Sequence, residues 1–362
     1  MTIHYDVDGK MVGVGYFDGT IKMFNSQTGK LAKVIQTAEP QIEDQQAVSC
    51  IRFKPFKVGA NCRSSGVMTA LTSSGYLRNY SLTMDQMLSQ NEMHYDNSNH
   101  LNCADFTCDG RRLMIGGSDQ KVHLYEESGE RRYAGAISER GFKIPGHAGR
   151  VFSIKCHPDD PNVAVSCAWD SNLKIYDMRA RKPVATIYGP RPFGDCLDLF
   201  DDMCISGNYR AKEALSMYSI SMQKHIYEAD YSQFYTDNDA GNVMAARFSH
   251  DGQLIFTGDT YRNQVKIFMN DSDGYGTFRL QTEIDVGQPV YALDRHPSMN
   301  QFCFGTKEGK VCLVNYMLDE NKPEWQGYQG NFTEKAEKVW EKMERERRNV
   351  RMGIRNKDED DF

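Results

Sequence analysis

The chain has 362 residues, 40% hydrophobic and 25% charged, with a formal net charge of −6. That balance describes a globular chain, and it excludes both a membrane-embedded protein and a largely disordered one. A weakly acidic surface also argues against nucleic acid held by the bulk field.

From the first residues onward one unit keeps returning. It is first seen as Gly15-Tyr16-Phe17-Asp18-Gly19-Thr20-Ile21-Lys22-Met23-Phe24, a turn followed by a strand that ends on an aromatic. Equivalent strands end at Tyr80, Tyr125, Tyr176, Tyr218, Phe268 and Val314. The spacing of about 42 to 56 residues belongs to an array of small sheets.

Each unit opens with a strand a whose columns align. These strands are Thr2-Ile3-His4, Cys50-Ile51-Arg52, Cys103-Ala104-Asp105, Ser153-Ile154-Lys155, Cys196-Leu197-Asp198, Ala245-Ala246-Arg247 and Ala292-Leu293-Asp294. Column one is small, column two apolar, and column three polar or charged. Small residues in every unit imply crowding, as at the axis of a ring of radial sheets. In column three the acids Asp105, Asp198 and Asp294 alternate with Arg52, Lys155 and Arg247. This reads as charge compensation, facing either a central channel or a neighbouring sheet.

Turns rich in Asp and Gly follow, such as Asp8-Gly9, Asp109-Gly110 and Asp251-Gly252, which suit tight reversals. Strand b is then a continuous apolar run, for example Leu254-Ile255-Phe256-Thr257-Gly258, expected where a sheet is covered on both faces. Strand c carries the terminal aromatic. Strand d is irregular and clearest at Leu31 to Gln36 and Val184 to Tyr188. No strand ahead of the first unit is visible to complete the last sheet. The seventh sheet is therefore expected to take its outer strand from about Pro323 to Gln329, or to lack one.

Past Gly330 the pattern changes. Asn331-Phe332-Thr333-Glu334 has the form of a helix N-terminus with Asn331 as its cap. Phe332, Ala336, Val339, Trp340 and Met343 fall at helical spacing. The expected domains are a repeat ring over 1–330, an amphipathic helix over 331–353 and an acidic disordered tail over 354–362. The helix docks on its own ring or on a partner, with Trp340 as an anchor in either case.

The fourth unit resembles the WD-repeat family of β-propellers. It contains Gly146-His147, Ser166-Cys167-Ala168-Trp169-Asp170 and Ile175-Tyr176-Asp177. The resemblance spans about residues 1–316. It implies an all-β, seven-bladed β-propeller, here followed by a C-terminal α-helix. It also implies a buried hydrogen-bonded network of His147, Ser166, Asp170 and Tyr176, with Tyr176 where the family has Trp.

There is no Gly-rich phosphate loop, no His-Glu-x-x-His and no Gly-x-Ser-x-Gly. No catalytic residue, cofactor or metal site is expected, and the chain is not expected to be an enzyme. The ten cysteines form no Cys-x-x-Cys pair and fit buried thiols in a reducing compartment. The first residues are too polar for a signal peptide, and no apolar run is long enough to cross a membrane. The expected location is cytoplasmic, with nuclear and cytoskeletal or ciliary placements also compatible.

The turns between strands b and c should all emerge on one face. Four of the seven carry an aromatic at the tip, in Phe17-Asp18, Trp169-Asp170, Tyr209-Arg210 and Tyr261-Arg262. Aromatic and Arg side chains dominate binding hot spots, whereas turn tips ordinarily favour small polar residues. The rings either pack on adjacent loops or grip a partner. The expected partner surface comprises Phe17, Trp169, Tyr209, Arg210, Tyr261, Arg262 and Phe193, the last from a Gly189-to-Phe193 loop on the same face. The expected function is a protein-interaction scaffold within a larger assembly. The alternative is a substrate receptor of a cullin-type ubiquitin ligase, because Val163 through Arg179 is similar to the motif by which some WD-repeat proteins meet the ligase adaptor.

Overall fold

The computed structural model describes residues 1–37, 47–55, 66–84, 86–92, 99–128, 130–137, 146–210, 214–229, 242–271, 277–318 and 325–332. They build seven four-stranded antiparallel sheets, each from four strands consecutive in sequence. The inner strands are Thr2–Tyr5, Val48–Phe53, Leu101–Phe106, Val151–Cys156, Leu197–Phe200, Val243–Phe248 and Val290–Arg295. Neighbouring inner strands touch in succession, and that of blade 7 meets that of blade 1. The ring is closed, and the architecture is a seven-bladed β-propeller.

Closure involves no exchange of strands. Blade 7 takes its outer strand from Trp325–Phe332, slightly beyond the expected stretch. Asn331 pairs with Leu313 and Phe332 with Cys312 in that sheet. Asn331 therefore belongs to an edge strand and does not cap a helix there. The remainder of the expected helix, Trp340 and the acidic tail lie outside the described residues.

The apolar interior is divided into seven clusters, one at each junction between blades. A twisted sheet of four short strands cannot cover both its faces, so each blade is covered by its two neighbours. The residue ending strand c lies in the junction with the preceding blade in every unit. Phe24, Tyr80, Tyr125, Tyr176, Tyr218, Phe268 and Val314 are all buried. Each such side chain contributes roughly 1.5–3 kcal/mol.

Crowding is sharpest two positions before column one. In blades 1, 3, 5 and 6 a glycine of strand b faces the valine that opens the next inner strand. A Cβ on Gly207 would lie 2.5 Å from Val243 Cγ1, and one on Gly258 would lie 2.7 Å from Val290 Cγ1. Only glycine permits this approach.

Column three lines the channel, and its alternating charges stitch the blades together. Arg52 of blade 2 reaches Asp105 of blade 3 at 3.3 Å, and Lys155 of blade 4 reaches Asp198 of blade 5 at 4.0 Å. Arg247 of blade 6 reaches Asp294 of blade 7 at 3.4 Å. Each carboxylate also accepts a backbone N–H from the following blade: Cys156 N to Asp105 at 2.8 Å, Phe248 N to Asp198 at 2.9 Å and Tyr5 N to Asp294 at 2.8 Å. Six junctions are spanned in this way. At the remaining one, between blades 1 and 2, the rings of His4 and Phe53 stand 6.0 Å apart.

Candidate functional site

Up-and-down blades place every b–c turn, and every connection entering a strand a, at one end of the ring. That end holds the aromatic residues singled out above. Phe17, Trp169, Phe193, Tyr209 and Tyr261 are all exposed, Phe17 by 74% and Trp169 by 53%.

Three of them come together, and a fourth ring joins them. Phe152 stands 5.2 Å from Trp169 and 5.9 Å from Phe193, measured between ring centroids. Phe193 is 6.2 Å from Trp169 and 5.4 Å from Tyr209. The Trp169 indole N–H donates to the Pro192 carbonyl at 3.1 Å, which ties the b–c turn of blade 4 to the loop entering blade 5. The result is a continuous aromatic platform across blades 4 and 5. Aromatic pairs at such separations hold each other by offset and tilted contacts.

Phe17 and Tyr261 stand on turns of blades 1 and 6, apart from that platform. The blade 6 turn is pinned from below. Asp259 accepts the backbone N–H of Tyr261 at 2.7 Å and of Arg262 at 3.2 Å. Its other oxygen faces Lys266 Nζ at 3.5 Å, with both side chains fully buried. Tyr261 and Arg262 are thus presented by a turn whose backbone is fixed.

The buried network of blade 4 forms as a unit. His147 Nδ1 lies 2.9 Å from Asp170 Oδ2, and His147 Nε2 lies 2.6 Å from Ser166 Oγ. The Ser166 and Tyr176 hydroxyls share a hydrogen bond of 3.0 Å. Tyr176 therefore fills the place of the expected Trp with its own polar tip. Asp170 also accepts the N–H groups of Ala148 and Asn172. Burial raises its pKa, but His147 and these amides outweigh it and bring the carboxyl down to about 2. The network holds Trp169, the neighbour of Asp170, at the surface.

Two residues at the channel mouth escaped the column pattern. Phe152 and Asp195 each stand one position before column one, where the inner strand is interrupted by a β-bulge or has not yet begun. With Ser49, Asn102, Met244 and Tyr291 they line a cavity of about 260 Å³. Asp195 accepts Arg52 Nη2 at 2.8 Å, Arg247 Nη2 at 2.5 Å and the Ser153 hydroxyl at 2.9 Å. Burial pushes its carboxyl up, but Arg247 and Arg52 hold it well below the usual carboxylate range. The opposite mouth opens into a second cavity of about 360 Å³ lined by the column-three charges.

Residues 138–177, which contain this buried network, match the model of the WD domain, G-beta repeat. The fourth blade is a WD repeat. Similarity to individual proteins is thinner. The U5 small nuclear ribonucleoprotein 40 kDa protein of Homo sapiens is 29% identical over 90 residues, covering 25% of this chain and 22% of that protein. WD repeat-containing protein 1 of Xenopus tropicalis is 25% identical over 200 residues, covering 49% of this chain and 31% of that protein. The matched stretches thus span less than a third of those relatives' lengths. A guanine nucleotide-binding protein subunit beta of Oryza sativa subsp. japonica is 23% identical over 218 residues, covering 59% of this chain and 53% of that one. Among solved structures, a chain from a mitotic checkpoint complex superposes with a TM-score of 0.68 at 12% identity, covering 86% of this chain and 88% of that chain. That likeness concerns the fold, in which the WD repeat sits as one blade of seven.

Proposed function

We propose that this protein is a non-catalytic scaffold that grips other proteins on the face carrying the b–c turns. The stacked platform of Phe152, Trp169, Phe193 and Tyr209 carries this reading. Rings that pack on one another and still remain exposed are preorganised anchors, with little side-chain freedom left to lose on binding. Tyr261 and Arg262, on a turn fixed by Asp259, extend the same face, and Phe17 and Arg210 add to its rim. The relatives named above include members of assemblies by their printed names, which supports a scaffold over an enzyme. The cytoplasm is the proposed location, with the nucleus compatible.

The test is recovery of bound proteins from source-cell extract by the intact chain and by a Trp169→Ala, Tyr209→Ala variant. Melting curves are recorded in parallel. The proposal expects loss of specific partners with a melting point close to that of the parent. A folded variant that recovers the same set removes this face from consideration.

A second reading, a ligase substrate receptor, is favoured by Arg179. It is an exposed guanidinium steadied by Asp177 at 3.2 Å, on the turn after strand c at the opposite face. An adaptor that co-purifies with the parent and is lost on Arg179→Ala would support that reading; no adaptor in the parent sample would end it.

A further inference from the structure

The aromatic platform is interleaved with arginines. Arg150 and Arg191 lie in the connections entering blades 4 and 5, and both are exposed. Their backbones are tied to the turn aromatics. Arg150 O accepts the N–H of Trp169 at 3.1 Å, and Arg191 O accepts the N–H of Tyr209 at 2.8 Å. Arg210 follows Tyr209 directly and is half-buried. Two carboxylates occur among the described residues of these turns, and both are already engaged. Asp170 is taken by His147 and by backbone amides. Asp195 is taken by Arg52, Arg247 and Ser153. Among the described residues, neither Arg150 nor Arg191 has an ion pair. A chain of net charge −6 thus concentrates three cations around a platform of exposed rings.

We infer that this face recognises an acidic peptide, an extended segment with Asp or Glu on both sides of an apolar anchor. The inference rests on the reading that the face binds protein, and adds the chemistry of what it binds. The anchor would lie on the rings of Trp169 and Phe193. Guanidinium groups bind carboxylates through two parallel N–H bonds, a geometry that lysine lacks. Flanking carboxylates therefore fit Arg150 on one side and Arg191 on the other. A basic segment would set like charges against each other and be rejected.

The test uses a labelled decapeptide with two aspartates on either side of a leucine-phenylalanine core, followed by fluorescence anisotropy with the full chain. Counterparts carry asparagine, lysine or phosphoserine at the four flanking positions. The aspartate peptide is expected to bind, the asparagine peptide about tenfold more weakly, and the lysine peptide not at all. Arg150→Glu with Arg191→Glu should weaken the aspartate peptide about tenfold or more. The milder Arg150→Gln, Arg191→Gln pair serves if the reversal disturbs folding.

Equal binding of the aspartate and asparagine peptides, or no effect of either arginine pair, overturns the inference. If Trp169→Ala with Tyr209→Ala still abolishes partner recovery, the interaction face stands and only its acidic preference falls. A phosphoserine peptide about a hundredfold tighter than the aspartate one would assign the site to phosphate instead. Binding that appears only after Asp358, Glu359, Asp360 and Asp361 are changed to their amides would make the chain's own tail the occupant. That result also overturns recognition of a separate partner.

Discussion

Arg52 of blade 2 and Asp195 of blade 5 meet at 2.8 Å across the axis of the ring. Blades that share no junction are thereby joined through the channel, between one mouth and the other. Arg247 of blade 6 adds a second guanidinium to the same carboxylate. Arg52 is 1% exposed, so its charge depends on these partners.

Removing the carboxylate should therefore cost more than removing one cation. Asp195→Asn takes one of two carboxylates from each guanidinium, leaving Arg52 with Asp105 and Arg247 with Asp294, and is expected to destabilise by about 1.5–3 kcal/mol. Arg52→Met leaves Asp195 still paired with Arg247 and should cost less. Urea unfolding of the two variants side by side checks the order, and the reverse order would show that the cross-channel pair is not what holds these charges.

Tyr176→Phe tests the blade 4 network. The ring still fills its junction, but the hydroxyl facing Ser166 is lost. A loss of about 1–2 kcal/mol is expected, typical of a buried group left without its partner. Equilibrium denaturation measures it, and a change near zero would mean that the shared hydroxyl contact adds nothing to stability.

Acid should weaken the fold in two stages. His4, His147 and His296 all have pKa values lowered from 6.5, with burial the leading cause in each. Asp294 opposes that shift at His4, while Arg52 and Lys155 reinforce it. Below pH 6.5 the unfolded chain takes up protons on these rings that the folded chain resists, so stability present above that pH is lost as pH falls. Asp170, lowered to about 2, adds a second loss between its ordinary value of 3.8 and about 2. Melting points between pH 7.5 and 5.5 should decline, and less steeply for His147→Gln. A flat profile for the parent would contradict this.

Gly258→Ala should be costly although the added group is one methyl. The new Cβ would sit 2.7 Å from Val290 Cγ1, and the junction between blades 6 and 7 would have to open. A loss of about 1–3 kcal/mol is expected. Pairing it with Val290→Ala should restore part of the loss, and a thermal-melt cycle of the four proteins reads the coupling.

The repeat made the ring legible because three columns obey packing rules that every blade shares. Small residues answer close approach, apolar residues fill the junctions, and alternating charges join neighbours at the axis. The b–c turns were readable for the same reason, since their place follows from the strand count. Phe152 and Asp195 were not. They stand one position ahead of column one, Phe152 at a bulge and Asp195 ahead of its strand, so neither is paired in a sheet. Ser, Asn, Phe, Asp, Met and Tyr all occur at that position, so no common property marks it. Arg150 and Arg191 were missed because a backbone carbonyl ties each to its aromatic, and sequence does not display such contacts. Asn331 misled for a different reason. Asn-Phe-Thr-Glu imitates a helix start, while pairing with Leu313 draws it into the sheet.

Among the described residues, the seam between blades 7 and 1 is held by side-chain hydrogen bonds, with the Tyr5 hydroxyl on Gln301 at 3.0 Å, the Tyr5 amide on Asp294 at 2.8 Å, Gln301 on the Ser26 carbonyl at 3.1 Å and Tyr16 on the Gly309 carbonyl at 3.3 Å. No sheet is shared across it. Each four-stranded unit is complete before the next begins, so the order of synthesis and the order around the circle coincide. A circularly permuted chain, reopened in any other connection between blades, would leave all seven sheets whole. The seam is thus interchangeable in principle with six other breakpoints, a freedom unavailable to a ring latched by a borrowed strand.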